Sequence, residues 1–259
     1  MNMKNGSPRL WIVGAGPGDP ELITLKGLKA IQSADVILYD ALASPELLKH
    51  APSSCKKIYV GKRKEKKEFP QEEINQLIVF YAIRFTNVVR LKGGDPNVFG
   101  RGHEEMEYAM RRGIAVEVIP GISSSIAAPS SAGIPLTKRG VNESFWVVTG
   151  TLSSGEMSRD LELAAKSSAT VIVLMGMTHL HKIALLFQQV RSPEEPMALI
   201  QEATLPGQKI TIGTASDICK RAAESKMSSP AVIVIGNVVT ESALPNILAH
   251  SEIRGIARD

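Results

Sequence analysis

Four short segments place glycines, carboxylates and cations directly after apolar runs. Val13-Gly14-Ala15-Gly16-Pro17-Gly18-Asp19-Pro20 is the first. Glycines at a strand end let a ligand approach the backbone closely. A dinucleotide-binding loop would carry glycine where Asp19 stands, and Pro17 and Pro20 remove N–H groups that a phosphate cradle uses. The segment is a glycine-rich loop of another kind, or simply a tight strand-to-helix turn. The second segment runs Arg90-Leu91-Lys92-Gly93-Gly94-Asp95-Pro96-Asn97-Val98-Phe99-Gly100-Arg101-Gly102. Its glycines expose backbone, Asp95 offers a carboxylate, and Pro96 delays the next helix. That set suits a nucleoside ligand with a ribose diol and an amino group and no phosphate, although a lone GGDP is more often a solvated turn.

The third segment, Ile119-Pro120-Gly121-Ile122-Ser123-Ser124-Ser125, offers small polar residues that can line a ligand cleft or cap a helix. The fourth is Tyr39-Asp40, paired with Gly61-Lys62-Arg63 after the following apolar run. Asp40 stands about 20 residues after the first loop, the distance at which a dehydrogenase places its ribose acid. Alternatively, Asp40 and Lys62 sit at neighbouring strand ends and serve as base and acid, or as a cap and a salt bridge. The basic run from Lys62 to Lys67 is a solvated loop or a guide for an acidic substrate.

Elements that alternate in type must position these segments. Strands are expected at Arg9–Gly14, Ala34–Asp40, Lys56–Gly61, Asn87–Lys92 and Ala115–Ile119. A second group is expected at Ser144–Thr149, Ala169–Met175, Met197–Glu202, Lys209–Thr214 and Ala231–Ile235. Several are apolar throughout, as strands covered on both faces are. Pro70 opens a helix with Glu72 and Glu73 in its first turn and Ile74, Leu77, Ile78 and Tyr81 at helical spacing. Glu104–Arg112 is a second, closed by Gly113, and Leu180, Ile183, Phe187 and Val190 outline a third with Thr178 as its N-cap. The alternation predicts an α/β fold. Pro135–Glu143 lacks an apolar period and is expected to link two α/β domains, residues 1–138 and 139–259. The last dozen residues are polar and expected to fray.

Composition narrows the function classes. The chain has 259 residues, a net charge of +4 and 5% aromatic residues. A mild basic excess fits an anionic small molecule, and so few aromatics argue against a stacking surface for nucleic acid. Cys55 and Cys219 are far apart, which disfavours a disulfide framework. Neither HExxH nor a His/Cys zinc pattern occurs, so no metal is expected. The polar start lacks a signal-peptide core, and no apolar run approaches the roughly 20 residues of a membrane span. A cytoplasmic protein with no membrane and no nucleic-acid partner is expected.

Together the segments resemble the S-adenosylmethionine-dependent uroporphyrinogen-III C-methyltransferases of the tetrapyrrole methyltransferase family. The shared order is VGAGPGDPELITLKGLKAIQSADVILYD, YVGKR, PQEEIN, VVRLKGGDPNVFGRG, IPGISS, AGIPLTKRG, VVTG, LMGM and ALIQEAT. The resemblance implies two α/β domains with the active site in the cleft between them, and a homodimer. It implies methylation of a tetrapyrrole, uroporphyrinogen III, at C2 and C7 to give precorrin-2, with S-adenosylmethionine as co-substrate and S-adenosylhomocysteine as product. The alternative within the family is a later corrin precursor as substrate. The resemblance assigns cofactor contacts to Pro17, Gly93, Gly94, Asp95, Val98, Ser123, Ser124, Met175 and Ala203. It makes Asp40 the proton acceptor and Lys62 the proton donor, and ties Arg101, Glu104 and Arg139 to substrate binding or catalysis. With Arg63 and Lys138, these cations could pair the substrate's carboxylates. Asn97, His103 and Lys138 stand where the family more often has an aromatic residue, glycine and histidine.

Overall fold

A computed structural model describes residues 8–61 and 70–242. The expectations placed on the first residues, on Lys62, Arg63 and the rest of the basic run, and on the last dozen residues lie outside that range. The chain divides after Ser123 into two compact units. The sequence boundary at 138/139 stands further along the chain. The difference is the helix Ser124–Ser131, which packs on strands of the second unit instead of closing the first.

The first unit is a wholly parallel sheet. Its strands are β1 (Arg9–Gly14), β2 (Val36–Tyr39), β3 (Lys56–Tyr59), β4 (Asn87–Lys92) and β5 (Ala115–Ile119), in the order β3-β2-β4-β1-β5. The side-chain period of two sends alternate residues to opposite faces. Val13, Ile37, Val89 and Leu91 meet Ala30 and Ile31 of α1 (Leu25–Gln32) and Leu47 and Leu48 of the turn Pro45–His50. Leu10, Ile12, Val36, Leu38 and Val88 meet Ile74, Ile78 and Ala82 of α2 (Gln71–Ala82) and Ala109 of α3 (Gly102–Met110).

Local signals start and stop these helices. Thr24 accepts a hydrogen bond from Gly27 N at 3.1 Å and caps α1. Asp19, the residue that breaks the dinucleotide pattern, accepts from Glu21 N at 2.9 Å and caps the turn Pro20–Leu22. Gly113, at φ +75°, closes α3: its N–H reaches Met110 O, and Ile114 N–H reaches Ala109 O. That pair of bonds is a Schellman motif, which the sequence placed correctly.

The second unit holds a mixed sheet, β6 (Phe145–Thr149), β7 (Thr170–Leu174), β8 (Pro196–Gln201), β9 (Lys209–Thr214) and β10 (Ala231–Ile235), ordered β6-β7-β10-β8-β9. β6 and β7 are parallel, and the remaining pairs are antiparallel. One face packs on Leu161 of α5 (Asp160–Lys166), Ile183 and Phe187 of α6 (Leu180–Val190) and Ile218 of α7 (Ile218–Glu224). The helix Ser124–Ser131, α4, lies against β7 and β10. With both faces covered, every residue of β7 is buried. Thr178 does not cap α6. It lies inside the short turn Met177–His179, and His179 takes the cap position.

Candidate active site

The strand order of the first sheet reverses between β1 and β4. The chain leaves β1 toward β2 on one side and leaves β4 toward β5 on the other. Helices consequently cover opposite faces, and a crevice opens outside the carboxyl ends of these two strands, where open α/β sheets bind ligands. The two glycine-rich loops begin there. Ala15 N–H donates to Lys92 O at 2.7 Å, Gly94 N–H to Gly16 O at 2.7 Å, and Gly16 N–H to Gly94 O at 3.3 Å. The loop after β5 joins them through Gly121 N–H, which donates to Asp95 Oδ2 at 3.1 Å. Asp95 Oδ1 accepts from Asn97 N–H at 2.8 Å, so this carboxylate braces the loops.

Only glycine permits the approach. A Cβ on Gly14 would stand 2.5 Å from Gly121 N, and one on Gly121 would stand 2.3 Å from Gly94 O. The loops thus bring together Pro17, Gly93, Gly94, Asp95, Val98 and Ser123 at one edge of the sheet. The amides of Ala15, Gly16, Gly94 and Gly121 are engaged in holding them. Pro17 and Pro20 carry no N–H, which suits a nucleoside ligand without a phosphate.

Asp40 follows β2 and begins a turn. Its Oδ1 accepts from Leu42 N–H at 3.1 Å, and its Oδ2 accepts from Arg90 Nη2 at 3.0 Å. Arg90 and Lys92 stand two apart on β4, on the face that α3 covers. Glu105 of α3 answers both: its Oε1 accepts from Arg90 Nε at 3.3 Å, Lys92 Nζ at 2.9 Å and Gln71 Nε2 at 3.1 Å. The side chains of Arg90, Lys92 and Glu105 are 4%, 6% and 0% exposed. Burial pushes the Lys92 ammonium below its usual 10.5, Arg90 pushes it further, and Glu105 opposes both. Glu105 Oε2 has no protein hydrogen-bond partner among the described residues.

Sequence reasoning quoted Arg90 and Lys92 as part of a loop and gave neither a role. The available signal was two cations at a period of two in the otherwise apolar strand Val88–Lys92. Glu105 and Gln71 gave no such signal, since only the fold brings them under β4.

The other expected residues are spread. Arg101, at φ +58° ahead of α3, forks onto Glu104 with contacts of 2.7 to 3.2 Å, and both side chains are more than half exposed. The Arg101 hydrogen bond holds the Glu104 carboxyl below its usual range. Arg139 lies in an exposed turn beside Gly140. Lys138 pairs with Glu241. Tyr39 and Tyr59 are register partners, which makes the ends of β2 and β3 neighbours as expected for Asp40 and the Gly61 loop.

In the second unit, β6, β7 and β8 all run the same way, because β10 opposes both β7 and β8. Met175 after β7, exposed and at φ +55°, and Ala203 after β8 therefore emerge at one sheet edge. Ser124 opens α4. Among the described residues no group of three His, Cys, Asp or Glu could hold a metal ion. No described helix is long and apolar enough to cross a membrane.

The family model of the Tetrapyrrole (Corrin/Porphyrin) Methylases matches residues 9–219. The chain belongs to this family. Among tetrapyrrole methylases it is 50% identical, over 230 residues, to the uroporphyrinogen-III C-methyltransferase of Methanocaldococcus jannaschii, covering 88% of this chain and 95% of that one. It is 45% identical over 242 residues to the Bacillus subtilis protein of the same name; the match takes in 92% of this chain but spans only 50% of that relative. The solved uroporphyrin-III C-methyltransferase of Thermus thermophilus, complexed with S-adenosylhomocysteine, superposes with a TM-score of 0.78 at 38% identity. That match covers 90% of this tetrapyrrole methylase and 99% of the Thermus chain.

Proposed function

We propose that the chain transfers two methyl groups from S-adenosylmethionine to C2 and C7 of uroporphyrinogen III, giving precorrin-2 for sirohaem or cobalamin synthesis, with S-adenosylhomocysteine as the second product. The observation that carries this reading is 50% identity along 95% of the Methanocaldococcus relative's length. When bound, S-adenosylmethionine supplies an electrophilic methyl group on a sulfonium.

The protein's part is alignment and proton handling. Pro17, Gly93, Gly94, Asp95, Val98 and Ser123 would hold the nucleoside at the braced loops of the first unit. Ser124, Met175 and Ala203 are its proposed contacts in the second. Methylation of an electron-rich pyrrole carbon leaves a ring that must lose a proton. Asp40 is the proposed acceptor and Lys62 the proposed donor. Arg101, Glu104 and Arg139 are assigned to the substrate; the Arg101–Glu104 pair would open so that the guanidinium can take a carboxylate. A cytoplasmic homodimer completes the proposal.

Anaerobic incubation of the purified protein with S-adenosylmethionine and uroporphyrinogen III tests it. A product heavier by two methyl groups is expected. Bound S-adenosylmethionine without any gain would transfer the activity to a later corrin precursor.

A further inference from the structure

We propose that Arg90 is a positioning residue for Asp40, itself held from beneath by Glu105. The proposal rests on the proton-acceptor reading of Asp40. Arg90 uses its fork in three directions: Nε to Glu105, Nη1 to Leu91 O at 2.8 Å, and Nη2 to Asp40. Its side chain is 4% exposed, whereas that of Asp40 is 23% exposed. The contact thus runs from the interior to a group at the rim of the site. With Leu42 N–H on the other oxygen, both ends of the Asp40 carboxylate are fixed within the protein. A base set in one orientation loses less freedom when the reacting carbon arrives.

The layer beneath explains why Arg90 stays in place. Glu105 gathers Arg90, Lys92 and Gln71 on one oxygen, with Gln71 bonded in turn to Asn75 at 3.0 Å. Buried charge of this kind contributes little net stability compared with apolar residues of similar volume. Packing of α3 on the sheet does not require it, and orientation of Asp40 does. A lysine at position 90 keeps the charge but cannot make three planar bonds at once.

The test is a double-mutant cycle on the full chain. Arg90→Lys and Arg90→Gln are measured alone and with Asp40→Asn, by anaerobic turnover, S-adenosylmethionine affinity and thermal unfolding. Arg90→Lys is expected to fold, to bind S-adenosylmethionine normally and to lose kcat by about 100-fold with KM for uroporphyrinogen III little changed. In the Asp40→Asn background the same substitution is expected to cost less than about 2-fold. An equal loss in both backgrounds overturns the positioning role, as does a fully active Arg90→Lys beside a defective Asp40→Asn. Full turnover by Asp40→Asn alone removes the proton-acceptor reading itself, and the positioning role with it. Should Arg90→Gln fail to fold, the Arg90→Lys arm decides.

Discussion

In the first sheet β4 carries Arg90 and Lys92 on the face that α3 covers, and a fully buried glutamate answers them. In the second sheet β7 is also flanked by two strands and covered on both faces, but Val171, Ile172, Val173 and Leu174 bring only apolar surface. The strand ends differ in the same sense. All five strands of the first sheet run one way, so three glycine loops meet at one edge. In the second, β6 and β7 end together and bring Gly150 against Gly176, while β9 and β10 point back. Loops able to house a ligand arise where parallel strands finish together, and among the described residues the fully buried charges, Arg90, Lys92 and Glu105, lie in the unit that carries the proposed base.

Removing Glu105 should break that contrast most violently. Glu105→Ala leaves Arg90 and Lys92 buried without their carboxylate, and breaking such a cluster costs about 3–5 kcal/mol. Phe187→Ala, at the centre of the second core, should cost a similar 3–5 kcal/mol by leaving a cavity. The causes are separable. Replacing the whole cluster, Arg90→Met with Lys92→Met and Glu105→Leu, is expected to restore most of the stability measured by urea unfolding while turnover stays lost. No apolar replacement that shrinks Phe187 should recover its loss. A triple variant as unstable as Glu105→Ala would mean that the charges hold the fold together.

Glycine substitutions sharpen the comparison at the strand ends. Gly14→Ala drives a Cβ to 2.5 Å from Gly121 N, and Gly150→Ala drives one to 2.4 Å from Gly176 Cα. Overpacking of this kind costs about 1–3 kcal/mol, so both variants should melt earlier by comparable amounts. Gly14→Ala should in addition weaken S-adenosylmethionine binding, measured by calorimetry, because it parts the loops after β1, β4 and β5. Unchanged affinity in a folded Gly14→Ala protein would move the nucleoside away from these loops.

How far sequence reached depended on whether a feature was local. Arg9–Gly14, Asn87–Lys92, Ala115–Ile119, Lys209–Thr214 and Ala231–Ile235 were legible end to end, since an apolar run between turn residues needs no partner to declare itself. The strand Ala34–Asp40 was drawn two residues too long at its start and one at its end, the last because the Asp40–Leu42 bond that turns the chain is a side-chain event. The helices α5 and α7, of seven residues each, are too short to show a clear apolar period. Asp95 was legible as a carboxylate beside the site, but not as the brace for Gly121, which lies in another loop. The Arg90–Glu105–Asp40 chain joins β4, α3 and the end of β2, and only the fold assembles it. Lys138 was expected to face substrate, and its partner Glu241 lies too far along the chain for sequence to reveal.

The smallest expected effect concerns the exposed pair Arg101–Glu104, the surface counterpart of the buried cluster. The hydrogen bond from Arg101 is the main cause that lowers Glu104 from its ordinary 4.5, with burial opposing it. A carboxyl lowered in the folded state binds fewer protons there than in the unfolded chain. Its contribution is therefore complete above about pH 4.5 and disappears as pH falls through the lowered value. Because both side chains are more than half exposed, solvent screening limits the contribution to less than about 1 kcal/mol. Glu104→Gln should consequently lower the melting temperature slightly at pH 7, with the gap shrinking as pH falls below about 4.5 and with added salt narrowing it. Turnover separates the two roles of the pair. If Arg101 must leave Glu104 to take a substrate carboxylate, Glu104→Gln lowers KM for uroporphyrinogen III. A raised KM would mean that Glu104 holds the guanidinium in its working position, as Glu105 does for Arg90 one residue further along the same helix.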